Sequence, residues 1–84
     1  MYIQSFIPTT VADKGVLHVV ANKDAFLTVK VLDIKGKISK TIKASIVSGS
    51  QQVLLQMDDL LSGNYVLNAF SGDVFLRSIR FSKQ

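Results

Sequence analysis

The stretch Gln51–Gly63, QQVLLQMDDLLSG, can be read in two periods, and the choice between them decides the fold. In a helical period, Val53, Leu54, Met57, Leu60 and Leu61 recur at i, i+1, i+4, i+7 and i+8 and form one apolar stripe. Ser50 then stands as the N-cap and Gly63 lies just past the end. In a strand period, Val53, Leu55 and Met57 share one face, and DDLLSG (Asp58–Gly63) is a tight loop. A helix packed on a single sheet gives an α+β domain, whereas a strand leaves the chain without any helix. Within this stretch alone both readings stand.

Period-2 alternation dominates on either side. Downstream, Tyr65, Leu67 and Ala69 alternate with Val66, Asn68 and Phe70. SGD (Ser71–Asp73) supplies a turn, and Val74–Ser82 returns as the second arm of a hairpin. In that arm Phe75, Ile79 and Phe81 share a face with Arg77, whose stem can lie along apolar surface with its head in water. Upstream, Lys37–Val47 puts Ile38, Ile42, Ala44 and Ile46 on one face and Lys37, Ser39, Thr41, Lys43 and Ser45 on the other. Lys40 interrupts the apolar face, which predicts a bulge or an edge position guarded against wrong pairing. Phe26–Leu32 places Leu27, Val29 and Val31 together, and DIKG (Asp33–Gly36) connects it onward with a positive φ expected at Gly36. Val16–Ala21 follows ADKG, and Tyr2–Pro8 is closed by the only proline. Short strands at about 8–12-residue intervals predict an all-β, Ig-like antiparallel β-sandwich of about seven strands, in a single domain over residues 1–84.

The totals agree with that class. Eighty-four residues make one domain at most. A hydrophobic share of 48% suffices for a packed core and is too high for disorder. All six acids are Asp, a turn-forming residue, and Glu is absent. With no cysteine, disulfides and thiolate metal sites are excluded. No apolar run approaches the ~20 residues of a spanning helix. The start lacks the basic-then-apolar layout of a signal peptide, so the expectation is either a cytoplasmic protein or a piece of a longer precursor.

No residue cluster announces catalysis. His18 is the sole histidine, and without cysteine or a second histidine it reads as an ordinary strand position rather than a zinc ligand. A Ser-His-Asp relay needs His18 beside a serine, and no nucleophile-elbow pattern occurs. Asp58–Asp59 reads as a turn-former, since its spacing lacks the alternating oxygen ligands of a calcium loop. Neither GxGxxG nor GxxxxGK is present, so no phosphate loop and no cofactor is expected. Lys35, Lys37, Lys40 and Lys43 form the densest positive stretch, but no aromatic residue lies beside them in sequence; a solvated face is the reading, with no nucleic-acid partner.

Three stretches carry a family likeness. VKVLDIKGKI resembles a motif in which an apolar strand ends in Asp, turns at Gly and continues with a basic residue. VLLQMDDLLSGNYVL resembles a segment of alternating apolar residues, a leucine loop and a Gly-x-Tyr strand opening. SGDVFLRSIRFSKQ resembles a closing strand with a terminal Lys. In this order, from about Phe6 to Gln84, they are similar to the C-terminal sorting domain of proteins exported by the type IX secretion system. Of the family's opening Pro-Asn-Pro element, IPTT keeps Pro8 alone.

The resemblance implies a strand and loop at Gln51–Gly63 and a non-enzymatic cargo tag. Its expected partners are the outer-membrane secretion machinery, cargo-handling proteins and an N-terminal cargo domain in the same precursor. Its expected route runs through the periplasm to the surface of a Gram-negative bacterium. Asp33, Gly36, Gly63, Tyr65 and Gly72 are expected to set register and turns, and Arg80, Lys83 and Gln84 to form the recognition end. A final strand near an edge is expected to offer unpaired backbone for strand addition, or for a weak homodimer. Removing Ser82–Gln84 is then expected to abolish export with little effect on melting. The competing expectation is an Ig-like adhesion, carbohydrate-binding or protein-binding module of a larger extracellular protein.

Overall fold

The strand period holds at the deciding stretch. The computed structural model, which describes residues 1–84, has a strand at Gly49–Gln56 and no helix, so no helix is long and apolar enough to cross a membrane. Leu55 and Met57 are fully buried, whereas Leu54 is 51% and Leu61 84% exposed. A helical stripe needs Leu54 and Leu61 inside. Burying Leu55 and Met57 contributes about 1.5–3 kcal/mol each, and alternation delivers both.

Eight strands result: β1 Tyr2–Ile7, β2 Thr10–Val11, β3 Lys14–Ala21, β4 Ala25–Leu32, β5 Ile38–Ile46, β6 Gly49–Gln56, β7 Gly63–Ser71 and β8 Val74–Lys83. They form a three-stranded sheet in the order β1-β3-β6 and a five-stranded sheet in the order β2-β8-β7-β4-β5. The fold is a β-sandwich, with eight strands where about seven were expected. The extra one is β2, whose two residues pair in parallel with Ser82 and Lys83 and are too short to show a period.

One continuous core of 17 buried residues lies between the sheets. Leu27, Val29 and Val31 of β4, Tyr65, Leu67 and Ala69 of β7, and Leu17 and Val19 of β3 point into it by strand parity. Phe6, Phe81 and Tyr65 fill one end. The Phe6 and Phe81 rings meet edge-on at 5.5 Å, and Tyr65 stacks on Phe81 at 5.6 Å. Such pairs add about 0.5–1.5 kcal/mol beyond their burial. Gly15 is required there by close approach, because a Cβ on it would stand 2.3 Å from the Phe6 ring. The loop after β6 plugs the same interior: Met57 N–H donates to the Asp13 carbonyl at 2.7 Å, and Leu60 is buried behind it.

Three register slips change the faces that alternation assigns. One, between β4 and β5, pairs Ile38 with Leu32 and turns it outward, 49% exposed, away from the face of Ile42, Ala44 and Ile46. The other two lie in β8 and β1. In β8 the register with β7 slips between Phe70↔Phe75 and Ala69↔Arg77, leaving Leu76 as the extra residue. Phe75 therefore does not share a face with Ile79 and Phe81. It lies outside, 54% exposed, with its ring 5.6 Å from that of Phe70. In β1 the register with β3 slips past Gln4. The Arg77 guanidinium, expected in water, crosses to this β1 bulge, and its Nη1 donates to the carbonyls of Ile3 at 3.1 Å and Gln4 at 2.8 Å.

Lys40 fulfils both halves of its expectation. Strand β5 is a sheet edge, and the β4–β5 register slips between Val31↔Lys40 and Leu32↔Ile38. Lys40 shares the inward parity of Ile42, Ala44 and Ile46, and its Nζ reaches Asp59 Oδ1 at 2.7 Å. That contact is the chain's ion pair, and it ties the edge strand to the plug loop.

Candidate functional site

The five-stranded sheet ends in a shallow groove of about 770 Å³. Its floor is the outward face of β7 and β8, where Asn64, Val66 and Asn68 lie opposite Ser82, Arg80 and Ser78. One wall is the β4–β5 turn, including Asp33, Ile34 and Gly36; the other is Thr9–Thr10. Tyr65 and Phe81 form its inner boundary. Four residues singled out in the sequence, Asp33, Gly36, Tyr65 and Arg80, thus meet around one concavity from distant parts of the chain.

Each has a definite local role. Asp33 shapes the turn, its Oδ1 accepting the backbone N–H of Lys35 at 2.9 Å and of Lys37 at 3.0 Å. The Asp33 backbone adds N–H to Lys37 carbonyl and accepts Gly36 N–H at 3.0 Å. Gly36 sits at φ +81, the left-handed conformation that glycine adopts without steric cost. Tyr65, at the start of β7, is 8% exposed and donates its hydroxyl to the Leu61 carbonyl at 2.6 Å. A tyrosine at a strand start bonding back to backbone a few residues upstream is the tyrosine-corner arrangement of Ig-like sandwiches. It supplies a physical reason for the Gly-x-Tyr motif: the ring is buried and the hydroxyl fixes the loop before it.

Gly63 pairs with Lys83 beside the groove. Gly72 does not join them; it forms the β7–β8 turn at the far end of the sheet and lines a second, smaller depression. Arg80 is the one groove cation. It is exposed on the floor opposite Val66, and no carboxylate pairs with it. Since Asp33 already accepts two amides, the groove presents a free guanidinium amid hydroxyls and amides. Such a surface favours an anionic or acceptor-rich group.

The carboxyl tip is clamped on both sides. Ser82 and Lys83 pair with Asn64 and Gly63 of β7 on one flank. On the other, Ser82 N–H donates to Thr9 and Gln84 N–H to the Val11 carbonyl, both at 2.8 Å. The expectation of unpaired backbone at the tip is therefore corrected: β2 already occupies that edge. The side chains at the tip are bonded locally, the Ser82 hydroxyl donating to Asn64 Oδ1 and Lys83 Nζ to the Gln84 carbonyl, both at 2.9 Å.

Two surroundings were invisible in the sequence. Lys30 Nζ lies 5.2 Å from the Phe70 ring centre, and Lys43 lines the same depression. With Phe26 74% exposed and Phe75 beside Phe70, the outer face has aromatic neighbours for its lysines after all, brought by β4 and β7 rather than by sequence. His18 lies half-buried in the ladder between Ser5 and Gln52, and none of the strands β1, β3 and β6 carries an acid. No three His, Asp or Glu side chains stand close enough to hold a metal ion. Against this geometry, no family model matches the chain, and neither a curated protein nor a solved structure matches it.

Proposed function

We propose that this chain is a sorting domain of the type IX kind, exported as the C-terminal part of a precursor and read by the outer-membrane machinery, with no catalysis of its own. The observation that supports it most is the convergence of three separate motifs on one groove. Asp33 and Gly36 shape its wall, Tyr65 its inner boundary, and Arg80 gives it charge. In this reading Asp33, Gly36, Gly63, Tyr65 and Gly72 act through the fold. Arg80, with Lys83 and Gln84 at the adjoining tip, makes the contact.

The test fuses residues 1–84 behind a signal peptide and reporter in a host carrying the machinery. Surface delivery is scored for the parent and for Arg80→Gln with Lys83→Gln, after circular dichroism shows both folded. Delivery that falls at least about tenfold in the double variant supports the reading, the loss of one or two charge-assisted contacts. No delivery of the parent, or equal delivery of both, overturns it.

A second reading, an Ig-like ligand-binding module, is favoured by one observation: Phe26, Phe70 and Phe75 share the outer sheet face with Lys30 and Lys43. Position separates the two. A binding module works ahead of its reporter as well as behind it; a terminal sorting tag does not.

A further inference from the structure

A sandwich has open sheet edges, and each open edge here but one is obstructed. Strand β1 is bulged at Gln4, and Arg77 occupies two of its carbonyls. Strand β2 has two residues. Beyond the reach of β2, β8 is bulged at Leu76 and carries Arg77 and Arg80. Strand β5 carries Lys40 and Lys43 and faces a register slip. Bulges, short strands and edge lysines are the devices that keep sheets from joining. Strand β6 has none of them. Its sequence, GSQQVLLQ, contains no charge and no proline. Its register with β3 runs unbroken from Lys14↔Gln56 to Ala21↔Gly49. The Gln51 side-chain amide bonds to the Gly49 carbonyl, so the free edge is Ser50–Gln56.

We propose that β6 is a self-pairing edge, through which two copies of this chain join antiparallel into one continuous six-stranded sheet. The proposal is independent of the sorting reading. The occupant is a second copy for two reasons. The chain carries a net charge of +4, yet this edge brings no like charges together. The second reason is symmetry. Antiparallel self-pairing keeps core faces on one side only when the two-fold axis passes through a residue. Centred on Leu54, it sets the two Leu54 side chains opposite each other. The outward row Ile7, Val16, Leu54 then continues as Leu54, Val16, Ile7 of the second copy. Leu54 and Ile7 are 51% and 54% exposed in the single chain, and the pairing covers the first of them.

Sedimentation equilibrium of the chain up to about 1 mM tests this, a range that reaches weak affinities. A reversible monomer–dimer equilibrium is expected. Leu54→Lys is expected to raise its dissociation constant by about tenfold, combining a lost apolar pair with like-charge repulsion. Gln52→Lys, on the same outward face, is a second probe should the first variant fail by circular dichroism. Phe75→Lys, on the other sheet, is expected to leave the constant unchanged. Because the chain has no cysteine, Leu54→Cys adds a direct measure: mild oxidation should link two copies faster than it does for Phe75→Cys. A monomer at every concentration, a dimer indifferent to both lysines at β6, or equal cross-linking of the two cysteine variants overturns the proposal.

Discussion

Truncating Ser82–Gln84 separates two ideas about the carboxyl tip. If the tip were only a label, its removal would leave the fold intact. The structure predicts otherwise. The deletion removes Ser82 N–H to Thr9, Gln84 N–H to Val11, and the Ser82 hydroxyl to Asn64 Oδ1 at 2.9 Å. At about 0.5–1.5 kcal/mol net for each bond, the loss is about 1.5–4.5 kcal/mol. Total stability for a chain of this length is about 4–12 kcal/mol, so the tip carries a sizeable share. At about 4–8 °C per kcal/mol, Tm should fall by about 6–36 °C. The loss is also local. Without Ser82 and Lys83, β2 has no strand to pair with, and the segment Thr9–Val11 should become the first to exchange its amide protons. Thermal melts by circular dichroism and native-state hydrogen exchange check the two outcomes. A truncated chain melting within about 3 °C of the parent, with Thr9–Val11 still protected, would refute the clamp. An export defect in that truncation cannot by itself be assigned to recognition, which is why Arg80→Gln and Lys83→Gln are the cleaner probes.

Tyr65→Phe keeps the stack on Phe81 and removes the hydroxyl bond to Leu61, so urea unfolding should show a loss of about 0.5–1.5 kcal/mol with an unchanged m-value. Gly15→Ala drives a methyl into the Phe6 ring, and the same assay should show a loss of about 1–3 kcal/mol together with altered near-UV aromatic signals. Asp59 is held below its ordinary value of 3.8, chiefly by the hydrogen bond from Lys40. Its contribution to stability is therefore present above that value and lost as pH falls through the lower folded one. Asp59→Asn should be less stable than the parent near neutrality and converge with it in strong acid, and a parallel offset at every pH would show that the pair does not set the dependence.

What the sequence makes legible divides along a physical line. Alternation in the central strands needs only local information, and Leu27, Val29 and Val31, or Tyr65, Leu67 and Ala69, lie inside as their parity dictates. The helix reading of Gln51–Gly63 fails because its stripe takes Leu54 and Leu61 inside and leaves Leu55 out, whereas Leu55 is buried and the other two are exposed. Phe75 illustrates the opposite limit. A bulge is a property of two strands counted against each other, so the extra residue Leu76 leaves no trace in the sequence of β8, yet it moves every preceding side chain to the other face. The same non-locality hides the Phe70 ring beneath Lys30, since their strands are neighbours only in the sheet. It also hides the tip's partner, because a two-residue strand has no period to read. The groove lies between these limits. Asp33 and Gly36 announce their turn locally, and Tyr65 announces a strand start, but only the order β8-β7-β4 brings them around Arg80. A site composed of turn-formers and one unpaired cation is legible residue by residue, and it becomes a site only through strand order.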